Sequence, residues 1–403
     1  MGPTSPQPLA SPLLQRLRRE LFASRTDGLI TLALVGALLA VAAAFLRWAL
    51  FQAQWTVIQA NSALLAVGRY PPEQQWRLWL LVALLAALAG LSWGLLRGRA
   101  WPRNDRIAAA LLLALALLVP LGLQLAPALQ LRWWLITAVL LAGRHGAGLW
   151  GAAVPLRWRR LLPLLWPLLY LLGMVLINGG LELMPVPPSE WGGLLLTLLE
   201  ASFAILLCFP LGILLALGRR SELPLLRWGS VLYIEFIRGA PLITLLFLGQ
   251  NILGFLLPGG LAPDRVWRAA WVLTFFAAAY VAEAVRSGLA SLPRGQMEAA
   301  RALGLPVPQA LIHVVLPQAL RVALPATVGQ FISLLQDTTL LSLIGLLDLL
   351  GTARTVMANP AFLGKNAEVY LVLAVLFWCC CAALGLGSRA LETRLNPLAT
   401  SKA

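Results

Sequence analysis

Ten apolar segments alternate with short polar loops along the chain, most of them close to the roughly 20 residues a helix needs to cross hydrocarbon. They fall at about 28–50, 76–96, 107–125, 131–150, 161–178, 191–218, 241–257, 266–285, 322–346 and 369–390. The spacing predicts an all-α polytopic membrane protein with about ten transmembrane helices. The fourth segment is the weakest, because Arg144, His145 and several glycines interrupt it. Residues 1–27 are polar and proline-rich and turn helical near Leu13; the apolar run after them is longer than a signal-peptide core and reads as an uncleaved first span. One loop is patterned like soluble protein. In residues 291–317, SLPRGQMEAARALGLPVPQALIHVVLP, Glu298, Ala299 and Ala300 sit on a short polar helix that Gly304 ends. A second short helix opens at Pro308, and Leu316 and Pro317 close the unit before the next span.

Composition narrows this reading. With 60% hydrophobic residues, 12% charged residues and a mean hydropathy of +0.82, the 403-residue chain is excluded from the ordinary soluble proteins. A net charge of +15 would point to nucleic acid in a soluble protein, but here the basic residues lie between apolar runs and report orientation, so no nucleic-acid partner is expected. With the N-terminus in the cytoplasm, 23 of the 31 basic residues fall on inner loops and helix ends, both termini are cytoplasmic, and the Glu298 loop is cytoplasmic too. Tryptophans such as Trp76, Trp133 and Trp191 mark outer ends, and Trp93, Trp101 and Trp158 mark inner ones. Composition shifts near residue 180: the first 180 residues hold 16 basic and 4 acidic side chains, the rest 15 and 12. The Pro-Val-Pro-Pro run at 185–188 is the natural boundary between additional N-terminal helices (28–180) and a second region (181–403).

Chemistry-bearing clusters are missing from the sequence. It holds no Gly-rich phosphate loop, no Ser-His-Asp order and no Cys/His cluster, so no catalytic residue, cofactor or metal is expected. Cys208 and the run 379–381 lie in apolar spans as small hydrophobes, while His145 and His313 each stand alone. Ionisable residues inside spans are costly and face a cavity or a partner. Glu283 is placed to pair with Arg286, whereas Glu200 and Asp337, the latter beside Thr338, are candidates to line a substrate path. At helical spacing, Asp337, Leu341 and Ile344 would form one stripe, a polar patch above an apolar seal. Glu235 and Arg238, three residues apart, would share a helix face.

The string E-A-A, three residues, Gly304, nine residues, Val314, one residue, Leu316-Pro317 resembles the E-A-A-x3-G-x9-I-x-L-P coupling loop of ATP-binding-cassette importer permeases, with Val314 where the family usually has isoleucine. The resemblance covers about residues 191–391 and is closest to the polar and general L-amino-acid importers. It includes GGLLLTLLEAS from Gly192, YIEFIRGAPLITLLF from Tyr233, AAYVAEAVRSGLASLPRGQMEAARALGL from Ala278 and QDTTLLSLIGLLDLLG from Gln336, where the family often has lysine in place of Gln336. It implies a type I importer permease with a five-helix core at 181–403 and a cytoplasmic coupling loop at 288–317. In that loop Glu298, Ala299, Ala300, Gly304, Leu316 and Pro317 would meet the ATPase. It further implies ATPase subunits, a second homologous permease, a periplasmic amino-acid-binding protein and an amino-acid substrate as partners, in the bacterial inner membrane. Hydrolysis of ATP would belong to the partner. The competing class is a stand-alone ion-coupled secondary transporter, which predicts inverted repeats; none is visible in the sequence.

Overall fold

The computed structural model describes residues 20–122, 126–180, 182–256, 263–293 and 295–395. The chain divides into two units, residues 1–55 and 56–403. The first contains α1 (Arg25–Arg47), which the Ser24 side chain caps by accepting from the Asp27 amide at 3.1 Å and which runs on through a wide turn at Trp48–Gln52. None of its residues is buried by the chain, and it is apolar all round, the pattern of a helix solvated by lipid.

The second unit begins with α2 (Thr56–Val67), α3 (Gln75–Arg97), α4 (Arg103–Gly122), α5 (Pro127–Trp150) and α6 (Leu156–Asn178). It continues with α7 (Gly193–Arg219), α8 (Pro224–Gly239), α9 (Leu242–Leu256), α10 (Arg265–Ala290), α11 (Gly295–Ala302), α12 (Val307–Ala310) and α13 (Leu316–Asp337). After α13 the chain tightens to a 3₁₀ helix at Thr338–Ile344, followed by α14 (Leu349–Met357) and α15 (Asn366–Leu395). Over their described residues, all ten expected segments are mainly helical. Seven described helices are long and apolar enough to cross a membrane, and α8 with α9, bent by 106° between them, makes up to eight. The short helices α2 and α14 were not expected, because each is too brief to leave a periodic signal.

The seams between spans are built from small residues, which let backbones approach where no hydrophobic effect drives helices together. Gly212 of α7 lies against Val281 and the Ala278 carbonyl of α10, and Gly288 of α10 lies against the Ala319 carbonyl of α13. Between α3 and α5 the same role falls to Gly90, Gly94 and Ala147. Arg144, read from sequence as an interruption of the fourth span, is instead a fully buried staple inside α5. Its guanidinium donates to the carbonyls of Gly98 (3.0 Å) and Ala100 (2.7 Å), pairs with Asp105 (3.3 Å) and lies over the ring of Trp101 (4.5 Å). Asp105 also accepts from the Trp93 indole at 3.0 Å.

At the end of the bundle away from the Glu298 loop, residues on both sides of position 180 interlock. Arg77 donates to the Met184 carbonyl across that position (2.8 Å), flanked by the Tyr70 hydroxyl donating to the Ile177 carbonyl (3.0 Å) before it and the Gly193 amide to the Leu347 carbonyl (2.9 Å) after it. Gly68, at φ +68°, touches Gly192, where a β-carbon would strike the Gly192 backbone. A single apolar core therefore runs from Tyr70, Leu78 and Ile177 into Leu196, Leu246 and Leu273.

Asp348 caps α14 in this region, accepting from the amides of Leu350 (3.1 Å) and Gly351 (3.0 Å) while fully buried. Burial pushes its carboxyl up to about 6, against the pull of those two amides. A carboxyl raised on folding adds stability that is complete below its unfolded value and is lost as pH rises through its folded one. The expected result is that the melting temperature of the wild type, measured relative to Asp348→Asn, falls between about pH 4 and pH 6.5, by the equivalent of at most about 3 kcal/mol. A difference that stays flat across that range would show that the cap does not titrate there.

Candidate functional site

The loop between α10 and α13 is a rigid knuckle. α11 carries Glu298 and Ala299 exposed to solvent and Ala300 buried against the bundle. The helix stops in a paired backbone closure: the Leu305 amide donates to the Ala300 carbonyl (3.2 Å) and the Gly304 amide to the Arg301 carbonyl (2.9 Å). That closure needs a left-handed residue, and Gly304 supplies it at φ +84°. Pro306 then caps α12, with Pro308 inside its first turn.

Leu316 and Pro317 do not close the unit as the sequence suggested. α12 passes through a wide π-turn at Leu311–Val315 directly into α13, so the two residues form the first turn of the long helix. Proline is tolerated there because the widened turn immediately before it relieves the crowding that its ring would cause against a regular α-helical turn. The knuckle is thereby coupled rigidly to a span. Gln318 braces it, donating to the Gln296 side chain (3.1 Å) and the Val314 carbonyl (2.9 Å).

Sequence reasoning passed over Leu303. It stands 84% exposed at the tip of the knuckle, immediately before Gly304, with Val307 and Ile312 also exposed. A large apolar side chain in a loop that is otherwise soluble in pattern was the available signal. Together with exposed Glu298, it gives the knuckle an apolar knob beside a negative charge.

Beside the loop, α7, α8 and α10 are tied by an ion cluster centred on Glu283. Arg286 binds it at 2.5 Å, as the sequence indicated, and Arg219 (3.7 Å) and Arg238 (3.8 Å) join from the other two helices. Glu235 and Arg238 do not pair with each other: Glu235 takes Arg219 at 3.0 Å, because the end of α7 lies closer than the next turn of α8.

The positions expected on a path are dispersed. Glu200, in α7, is fully buried, and neither carboxylate oxygen has a hydrogen-bond partner among the described residues. Asp337 is the last residue of α13 and is half-buried, while Thr338 is buried with its hydroxyl turned back to the Leu335 carbonyl at 2.7 Å. No hydrogen bond or ion pair among the described residues joins Glu200 to either. The stripe expected of Asp337, Leu341 and Ile344 is not formed, because the 3₁₀ helix that starts at Thr338 changes the period from 3.6 to three.

The described residues form a bundle of apolar helices whose loop end carries a braced helical knuckle. The pattern that defines the inner membrane components of binding-protein-dependent transport systems matches residues 208–397. The chain is 33% identical over 396 residues to the inner membrane amino-acid ABC transporter permease protein YhdY of Escherichia coli, covering 94% of this chain and 92% of that protein. It is 39% identical over 370 residues to the glutamate/glutamine/aspartate/asparagine transport system permease protein BztC of Rhodobacter capsulatus, covering 85% and 79%. Among solved structures, a chain from the crystal structure of an amino acid ABC transporter with histidines is 30% identical with a TM-score of 0.45, over 50% of this chain and 92% of that one. The chain belongs to the ABC importer permeases. It is a multi-pass inner-membrane subunit and not itself an enzyme; ATP hydrolysis and substrate delivery fall to an ATPase and a binding protein.

Proposed function

We propose that this permease translocates L-amino acids, and that Glu298, Ala299, Ala300, Gly304, Leu316 and Pro317 form the element through which a cytoplasmic ATPase drives it. The observation that carries the reading is the knuckle: two short helices held at a fixed angle by the Gly304 closure and continuous with span α13, so that a push on the loop is delivered to a span. The amino-acid substrate is supported by the two relatives matched over most of their length, both permeases of amino-acid transport systems. In this reading residues 181–403 are the importer core, 28–180 are additional helices behind a cytoplasmic segment at 1–27, and both termini are cytoplasmic. A second, homologous permease completes the path, a periplasmic amino-acid-binding protein feeds it, and Glu200, Asp337 and Thr338 lie along it.

Uptake of labelled L-amino acids into proteoliposomes, reconstituted with the ATPase and the binding protein, tests the assignment. Uptake is expected to require ATP and all components; transport by this chain alone on a sodium or proton gradient would place it with the ion-coupled secondary transporters instead. In the same assay Glu298→Lys, which reverses the charge beside the Leu303 knob, lowers coupled uptake at least about tenfold, the effect of roughly 1.4 kcal/mol. Asp337→Asn changes the rate or the preference between basic and acidic amino acids; unchanged uptake of every substrate removes Asp337 from the path.

A further inference from the structure

α8 presents two unlike faces. One packs on α7 and α10: Ser230 fills the space beside Gly218, the Tyr233 hydroxyl donates to the Phe275 carbonyl at 2.7 Å, and Glu235 and Arg238 enter the Glu283 cluster. The other carries Leu225, Trp228, Leu232 and Phe236, at 86, 68, 72 and 63% exposure, in the three- and four-residue steps of a single stripe.

Its placement follows from its contacts. Ser230 meets the last turn of α7, so α8 begins at the end of the bundle that carries the Glu298 loop. α9 then climbs toward the opposite end, where Gln250 donates to the Arg265 carbonyl at 2.7 Å. The 106° bend between α8 and α9 therefore lays α8 across the spans, in the plane of the membrane boundary. Around it, residues 219–239 hold four arginines and two glutamates. Arg219 and Arg238 are engaged in the Glu283 cluster, whereas Arg220 and Arg227 are exposed and enter no ion pair among the described residues, and Glu222 is likewise exposed.

We propose that α8 is an interfacial helix of the leaflet on the loop side, with Leu225, Trp228, Leu232 and Phe236 immersed at the headgroup boundary and Arg220 and Arg227 binding the phosphates of anionic phospholipids. An amphipathic helix with tryptophan, phenylalanine and leucine on one face and arginine on the polar face is the composition that seats in this layer. The negative surface of a cytoplasmic leaflet matches the two unengaged cations. Because α8 is bolted to α7 and α10 through Glu283, lipid charge then acts on the helices next to the knuckle.

The test uses the full chain in lipid nanodiscs and needs no transport assay, so its outcome is independent of the substrate and of the ATPase. A nitroxide is placed at Leu232→Cys in a background where Cys379, Cys380 and Cys381 are serine; Cys208 is fully buried and does not label. The expected label is accessible to oxygen and shielded from a water-soluble nickel chelate. In discs of mixed phosphatidylcholine and phosphatidylglycerol, retained phosphatidylglycerol falls about fivefold for each of Arg220→Gln and Arg227→Gln. A label open to the nickel chelate overturns the proposal, since the stripe would then face water. A label shielded from both reagents overturns it in favour of a protein neighbour, such as a second permease. Equal retention of the two lipids in the wild type removes the anionic-lipid site.

Discussion

Gly304→Val abolishes ATP-driven uptake, by at least about a hundredfold, in a protein that still inserts and folds. A β-carbon at Gly304 would meet no atom within 4 Å, so space is not the constraint. The constraint is the backbone, which stands at φ +84°, a region that costs a β-branched residue roughly 1–3 kcal/mol. That cost is small beside the stability of a bundle of spans. It is large for α11, eight residues long and anchored to the bundle through Ala300, which sits in the closure itself. Relaxing Gly304 to negative φ breaks the closing bonds from Leu305 and Gly304, swings α11 relative to α12, and moves Glu298 and the Leu303 knob off the surface they address. Gly304→Asn is the control, because asparagine enters the left-handed region readily and is expected to retain most of the uptake. Parallel measurements of uptake and of ATP hydrolysis in proteoliposomes check this. Wild-type uptake by the valine variant would remove the knuckle from the coupling path.

The second large effect is on stability. Arg144→Ala is expected to cost about 3–5 kcal/mol, because it strands the buried Asp105 carboxylate and releases the Gly98 and Ala100 carbonyls from their donors. Arg97, at 3.6 Å from Asp105 and half-exposed, compensates only in part. Arg144→Lys keeps the charge but not the fork that reaches two carbonyls and a carboxylate at once, so it recovers only part of the loss. The diagnostic variant is Arg144→Met combined with Asp105→Leu, which replaces the ion pair by apolar volume and should recover the part of the loss that comes from the stranded carboxylate, while the Gly98 and Ala100 carbonyls and the Trp93 indole stay without partners. Thermal unfolding of the detergent-purified proteins measures all three. An Arg144→Ala protein that melts with the wild type would mean that the staple contributes nothing to holding α5 on α3.

Local features were legible because their causes are local. The ten helices follow from runs of apolar residues, and the Gly304 closure from one glycine at the end of one short helix; both depend on neighbours within a few positions. The knuckle proposed to couple to the ATPase was readable for that reason, its residues spaced along one short stretch. What neighbours in space decide was not readable. Arg144 interrupts an apolar run in sequence, and only the packing of α5 on α3 brings it the carbonyls at 98 and 100 and the Asp105 carboxylate that let it be buried. Glu235 and Arg238 share spacing that suits a pair, yet the end of α7 supplies a nearer cation. The stripe through Asp337 failed where Thr338, Thr339 and Ser342 turn their hydroxyls back to the carbonyls of Leu335, Gln336 and Thr339, and the helix tightens until Gly345 ends it. Hydropathy and spacing determined that this chain spans a membrane and where its helical knuckle lies. The bend that lays α8 along the boundary, the ion cluster at Glu283 and the staple at Arg144 were decided by tertiary structure, since each requires partners from helices remote in the chain.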